Sequence, residues 1–126
     1  MVDEHLDNQG LLEVSKNTLN ALKTGGTLVI VFTHPDKITA SSGISKEGWF
    51  ETTFPWKGPN GEFKKGKNYF RSKETYIKIL EEAGFVIDSV EDWKIPPEAE
   101  SENKEEYEKY KKYGNIRLAV KAHKPI

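Results

Sequence analysis

Residues 22–35 read LKTGGTLVIVFTHP, and this stretch decides the fold. Its double glycine ends a helical pattern, because glycine takes the left-handed conformation at a helix C-terminus without a Cβ penalty. The run from Leu28 to Phe32 is continuously apolar rather than alternating, which is typical of a strand buried on both faces. Ligands of α/β proteins bind outside the carboxyl ends of such strands, so His34 is the best-placed polar residue for substrate contact.

The composition sets limits on the class of protein. The chain has 126 residues, a formal net charge of -1 and no cysteine. Its length suits a single domain over residues 1–126, and the near-neutral charge makes nucleic acid an unlikely partner. The apolar run at 28–32 is far shorter than the roughly 20 residues of a membrane span. The first residues lack the pattern of a signal peptide. We therefore expect a cytoplasmic protein without membrane contact.

Two helices and two more strands follow from the sequence pattern. Asp7 or Asn8 caps a helix predicted over 8–23, and Ser72 caps a second helix predicted over 73–83, which Gly84 ends. Strands are predicted over the ranges 27–33, 85–92 and 116–123.

Two other segments are less regular. Residues 36–70 are rich in glycine, lysine and aromatic side chains, and the turn signal at 59–61 predicts a short hairpin that lies over the strand ends as a lid. Residues 98–113 are highly charged, with glutamates and lysines four positions apart, which predicts a surface helix or linker.

The order of several short sequence words resembles the C-terminal half of the class I S-adenosylmethionine-dependent methyltransferases. The words span nearly the whole chain: LKTGGTLVI at 22–30, HP at 34–35, YFRS at 69–72, LEEAGF at 80–85, VIDSVEDW at 86–93 and IRLAVKA at 116–122. The resemblance implies an α/β, partial Rossmann-like fold. It implies a three-stranded mixed sheet in which the last strand is antiparallel and central, with both helices on one face.

The same resemblance shows what the sequence does not contain. The family's glycine-rich loop and the acidic residue that holds the cofactor ribose have no counterpart here. We therefore expect S-adenosylmethionine to bind only when an N-terminal half completes the site, and none to bind the isolated chain. One edge of the strand at 27–33 is then unpaired, which predicts a homodimer or a complementing protein half as the partner.

Candidate site residues come from their positions. The substrate-binding candidates are His34, Trp49, Trp56, Phe70, Arg71 and Asp92. The resemblance places His5 beside the cofactor. No catalytic residue is nominated, and three scattered histidines do not make a metal site.

Each candidate also has a structural interpretation. His34 precedes a proline and can be a turn residue, and Asp92 can simply end its strand. The aromatic residues of the insert can form a cluster that fixes the loop, and its lysines can be a solvated surface rather than a site for an anion.

The sequence therefore predicts the substrate-side portion of a methyltransferase acting on a small molecule. The alternative is a non-catalytic binding or regulatory subunit, or a truncated product, that docks a partner through its exposed sheet edge.

Overall fold

A computed structural model describes residues 5–126, apart from the side chains of residues 54–56. The predicted site residue Trp56 therefore lies outside the described side chains. The elements along the chain are α1 (Asn8–Ala21), β1 (Thr27–Thr33), α2 (Pro35–Ser42), β2 (Gly48–Lys57), β3 (Phe63–Phe70), α3 (Lys73–Ala83), β4 (Val86–Lys94), α4 (Ala99–Glu102), α5 (Lys104–Lys111) and β5 (Asn115–His123).

The main sheet has the strand order β1-β5-β4, as the resemblance to methyltransferases implied. The strand β5 is antiparallel to both neighbours, so the two outer strands run in the same direction and every hydrogen-bonded pair is antiparallel. Thr27 is opposite His123 and Thr33 is opposite Arg117 in an unbroken register between β1 and β5. This arrangement confirms the predicted α/β fold with a central last strand.

Side-chain caps determine where the two long helices begin. The Asp7 side chain accepts a hydrogen bond from the Gly10 backbone N–H, and α1 ends at Ala21, two residues before the predicted end. The hydroxyl of Ser72 accepts from the Thr75 N–H at the start of α3. Such caps satisfy backbone donors that have no partner inside the helix.

The core lies between one face of the sheet and the pair α1 and α3. Leu11 and Leu12 of α1 join Tyr76 and Leu80 of α3 against the inward residues of the strands. The rings of Phe32 and Tyr76 stack with centroids 4.2 Å apart. Both helices therefore cover the same face, as expected.

The opposite face is less covered. Leu28, Ile30 and Phe32 contribute to the core, whereas Val29, which alternates with them, is 64% exposed. Alternation of inward and outward side chains along a strand explains this contrast. The prediction that β1 is buried on both faces is therefore wrong for the described structure.

The insert is more regular than the sequence suggested. It begins with α2, because His34 caps this helix, Pro35 occupies its first turn and Gly43 ends it with a φ of 77°. The hairpin that follows consists of strands of 10 and 8 residues in a separate two-stranded sheet. Periodicity alone missed α2 because it has only eight residues and little apolar surface.

The charged segment at 98–113 contains α4 and α5. The Asn103 side chain caps α5 by accepting from the Glu106 N–H, and Tyr107 is its buried residue. Among the described residues, no helix combines the length and hydropathy required to cross a membrane.

Gly84 provides a test of the contact between α1 and the end of α3. Its φ is 114°, and a Cβ added there would lie 2.8 Å from the Cδ2 atom of Leu19. The control is Gly61, which has a φ of 78° and no atom within 4 Å of an added Cβ. A left-handed residue with a side chain costs about 1–2 kcal/mol, and overpacking adds about 1 kcal/mol or more.

We therefore expect Gly84→Ala to lower the free energy of unfolding by more than Gly61→Ala does. Urea denaturation of the two variants measures the difference. Equal losses would contradict a close contact between Leu19 and Gly84.

Candidate functional site

A cavity of about 280 Å³ lies where β1 ends and where α2 and α3 begin. It brings together three of the predicted site residues. They are His34, Phe70 and Asp92. The remaining lining is mostly polar, and it consists of Pro35, Asp36, Thr39, Ser45, Ser72, Lys73, Glu74 and Asn115.

His34 is held at both ring nitrogens. Its Nδ1 atom accepts a hydrogen bond from the Asp36 backbone N–H at 3.0 Å. Because a backbone N–H can only donate, Nδ1 carries no proton, and the proton of the neutral ring is on Nε2. That nitrogen donates to Oδ1 of Asp92 at 2.7 Å. His34 is only 3% exposed, so it is a fixed support of the cavity.

Asp92 joins two elements at the cavity. Lys73, the first residue of α3, donates from Nζ to Oδ2 of Asp92 at 2.9 Å. The hydrogen bond from Lys73, followed by the one from His34, holds the pKa of the Asp92 carboxyl below its usual range. Its side chain remains 35% accessible. Asp92 is therefore ionised at neutral pH and still reachable from solvent.

A second carboxylate anchors the hairpin beside the cavity. Glu47 accepts hydrogen bonds from the N–H and the hydroxyl of Ser72, both at 3.2 Å, and from the hydroxyl of Thr75. The hydrogen bond from Thr75 is the main reason why the pKa of Glu47 is lowered. This cluster ties the residue before β2 to the first turn of α3.

Arg71 lies outside the lining of the cavity. It is 1% exposed, donates to Oδ1 of Asn8 at 3.0 Å and to the Leu6 carbonyl, and lies over the rings of Tyr69 and Tyr76. These contacts connect β3 with the start of α1 and with α3. A role for Arg71 in substrate binding stays a prediction.

His5 and Trp49 also lie away from the cavity lining. The Nδ1 atom of His5 is 3.4 Å from the Lys67 carbonyl oxygen, so this exposed residue contacts the hairpin. Trp49 is half-exposed and packs edge-on against Tyr69, with the centroids 5.2 Å apart. Their proposed cofactor and substrate roles stay predictions.

Sequence reasoning missed the contributions of Lys73 and Asn115. The Asn115 side chain donates to Oδ2 of Asp36 at 3.1 Å, which ties the start of β5 to α2. Lys73 follows the helix cap Ser72 directly, and this position at the start of a predicted helix was the available signal.

A larger concavity of about 790 Å³ lies at the turn of the hairpin, around residues 58–65. Its lining is almost entirely solvent-exposed, and it has no converging polar network like that around Asp92. The smaller cavity is therefore the better candidate for a site. No group of described residues has the side chains to hold a metal ion.

The fold of this chain matches part of known methyltransferase structures. A protein from Listeria monocytogenes, assigned as an S-adenosylmethionine-dependent methyltransferase, is 22% identical with a TM-score of 0.64 over 91% of this chain and 55% of its own. An S-adenosylmethionine-dependent methyltransferase from Mesorhizobium loti is 19% identical, with a TM-score of 0.61 over 90% of this chain and 55% of its own.

A third structure is a glycopeptide N-methyltransferase complexed with S-adenosylmethionine. It is 12% identical, with a TM-score of 0.59 over 98% of this chain and 50% of its own. No protein-family model and no curated protein matches the sequence. The chain thus has the fold of a partial methyltransferase domain, and it spans about half the length of the solved structures that it resembles.

The network around Asp92 predicts a measurable titration. We expect carbon-detected NMR to give Asp92 a pKa below that of an ordinary aspartate, and Lys73→Met to raise it because the largest stabilising contact of the carboxylate is lost. Lys78→Met, an exposed change on the same helix, is the control.

The sign of the effect on stability follows from the lowered pKa. The folded state stabilises the ionised form of Asp92, and this adds to the free energy of unfolding. The contribution is fully present above the pKa that Asp92 has in the unfolded chain, and it is lost as the pH falls through the lower pKa of the folded protein. Acid unfolding of Lys73→Met should therefore depend less on pH in that range. An unchanged Asp92 titration would contradict the contact.

Proposed function

We propose that this chain is the C-terminal, substrate-side portion of an S-adenosylmethionine-dependent methyltransferase and needs an N-terminal half to bind the cofactor. One observation carries the proposal. About nine-tenths of the chain superposes on only about half of each methyltransferase structure. The polar cavity agrees with the proposal, because it lies at the strand ends where α/β proteins bind ligands.

The described residues do not fit S-adenosylmethionine on their own. Of the described glycines with positive φ, five follow a helix or lie in a turn and Gly48 begins β2, so none of them lies in a glycine-rich loop between a strand and a helix. A cofactor site thus needs groups from a second polypeptide segment.

The share of this chain in the reaction is to bind and orient the methyl acceptor. Asp92 has lone pairs available to accept an N–H or O–H of a small polar molecule, and His34 and Lys73 fix its position. A carboxylate with a lowered pKa is a weak base, so Asp92 orients the acceptor rather than deprotonating it. Orientation alone contributes strongly to the rate of a displacement reaction.

Isothermal titration with S-adenosylhomocysteine tests whether the isolated chain lacks a complete cofactor site. We expect no saturable binding by the isolated chain. Fusion of the chain to the part of the Listeria protein that lies outside the matched 55% should restore binding. Micromolar binding by the isolated chain would contradict the need for a second half.

In that fusion, substitutions of cavity residues should change the KM for the acceptor without changing the affinity for the cofactor product. Asp92→Asn should raise the KM for the acceptor by about tenfold, which corresponds to roughly 1.4 kcal/mol, and should leave affinity for S-adenosylhomocysteine unchanged. His34→Asn should do the same while retaining a side chain that caps α2.

Lys78→Met is the control, since the exposed Lys78 side chain lies outside the cavity lining. A change in cofactor affinity without any change in the KM for the acceptor would exclude the cavity as the acceptor site.

A non-catalytic binding subunit is the second candidate function, and the exposure of Val29 on the sheet favours it. Such a subunit would bind an intact methyltransferase and would gain no methyl transfer activity from an N-terminal half. The fusion experiment therefore separates the two functions.

A further inference from the structure

The outer edge of β1 has unused backbone hydrogen-bonding groups. Within residues 5–126, β1 pairs only with β5, and the N–H of His34 donates to the Ile116 carbonyl. Partners alternate along an antiparallel strand, so the even-numbered residues of β1 bond to β5. The N–H and C=O groups of the odd-numbered residues therefore point towards the open edge. These residues are Thr27, Val29, Val31 and Thr33.

The two edges of the main sheet differ in their protection. The outer strand β4 carries four charged residues and has two register irregularities against β5. Charges and bulges are the features with which natural sheets prevent pairing with another chain. The strand β1 has no charged residue, no proline and no irregularity over its seven residues. Its edge is therefore the one suited to pairing.

The sequence of β1 is nearly symmetric about its central residue. TLVIVFT places Ile30 at the centre, a valine on each side of it, Leu28 and Phe32 beyond these, and a threonine at each end. A strand with this symmetry presents matching side chains to an antiparallel copy of itself. Cross-strand pairs of β-branched and aromatic residues stabilise a sheet.

We propose that β1 pairs with β1 of a second copy about a twofold axis through Ile30, which joins the two main sheets into one of six strands. In this register Val29 is opposite Val31 of the second copy, and Ile30 is opposite Ile30. Odd-numbered residues meet odd-numbered residues, so the free N–H and C=O groups of both edges bond to each other.

The same register keeps the core faces aligned. Because paired residues have the same parity, the inward residues Leu28, Ile30 and Phe32 of both copies lie on one face of the joined sheet. Helices α1 and α3 of both copies then cover that face. A shift by one residue would place core residues opposite outward residues, which disfavours that register.

The second copy and a complementing half would compete for this edge if that half also adds a strand there. The dimer is therefore a property of the isolated chain, and it does not depend on the proposed methyl transfer. Failure to form the dimer would leave the cofactor and acceptor experiments unaffected.

Sedimentation velocity over a wide range of concentration tests the dimer. Val29→Pro removes an N–H that points to the open edge, so the bonds between β1 and β5 remain. Proline is tolerated on edge strands in this orientation. We expect wild type and the control Val29→Thr to be dimers, and Val29→Pro to be a monomer with an unchanged circular dichroism spectrum.

Val29→Lys is a second disrupting variant, because this side chain is largely exposed and the change leaves the backbone intact. It should raise the dissociation constant of the dimer at least tenfold. This variant tests the proposal even if the proline variant fails to fold. A monomeric wild type, or a dimer that survives both disrupting changes, would overturn the proposal.

NOE contacts between the two copies test the proposed register of the β1 pair. In a dimer made from one isotope-labelled and one unlabelled copy, filtered NOE spectra should show contacts from Leu28 to Phe32 and from Ile30 to Ile30 of the other copy. A dimer without these contacts would overturn the pairing through β1.

Discussion

The position of β5 between β1 and β4 is the constraint on which the remaining structure depends. The outer strands run in the same direction and do not touch, so each obtains its sheet hydrogen bonds from β5. The inward residues Leu118, Val120 and Ala122 of β5 are completely buried and form the middle of the core. Without this strand, α1 and α3 would have no continuous surface to pack against.

The candidate site is a consequence of this arrangement. Because β1 and β4 run in the same direction on either side of β5, their carboxyl ends lie at the same end of the sheet. Side chains near these ends can therefore reach each other. His34 follows β1, Asp92 lies near the end of β4, and α3 supplies Lys73. Residues of the short α2 complete the lining of the space between them. Three separate elements thus orient one carboxylate.

Much of the fold, but less of the site, was predictable from the sequence. The strand order followed from the resemblance to methyltransferases, and the boundaries of α3 followed from its serine cap and its glycine stop. The helix α2 was missed because eight mostly polar residues give little periodicity, although Pro35 at its start was a signal. The pairing of His34 with Asp92 joins residues far apart in the sequence, so only the assembled sheet reveals it. Val29 was placed in the core because apolar continuity does not show whether a second layer is present.

The pairing of β1 with β5 also affects how the chain can fold during synthesis. Thr27 is opposite His123, so one of the earliest strands has its partner among the last residues described. Contacts between such distant residues slow folding, because a long loop must close before they form. On the ribosome α1 and the hairpin can form early, whereas β1 must wait, with its apolar residues exposed, until β5 emerges. During that interval the apolar side chains of β1 lack their core partners, and exposed apolar strands of this kind are prone to aggregate.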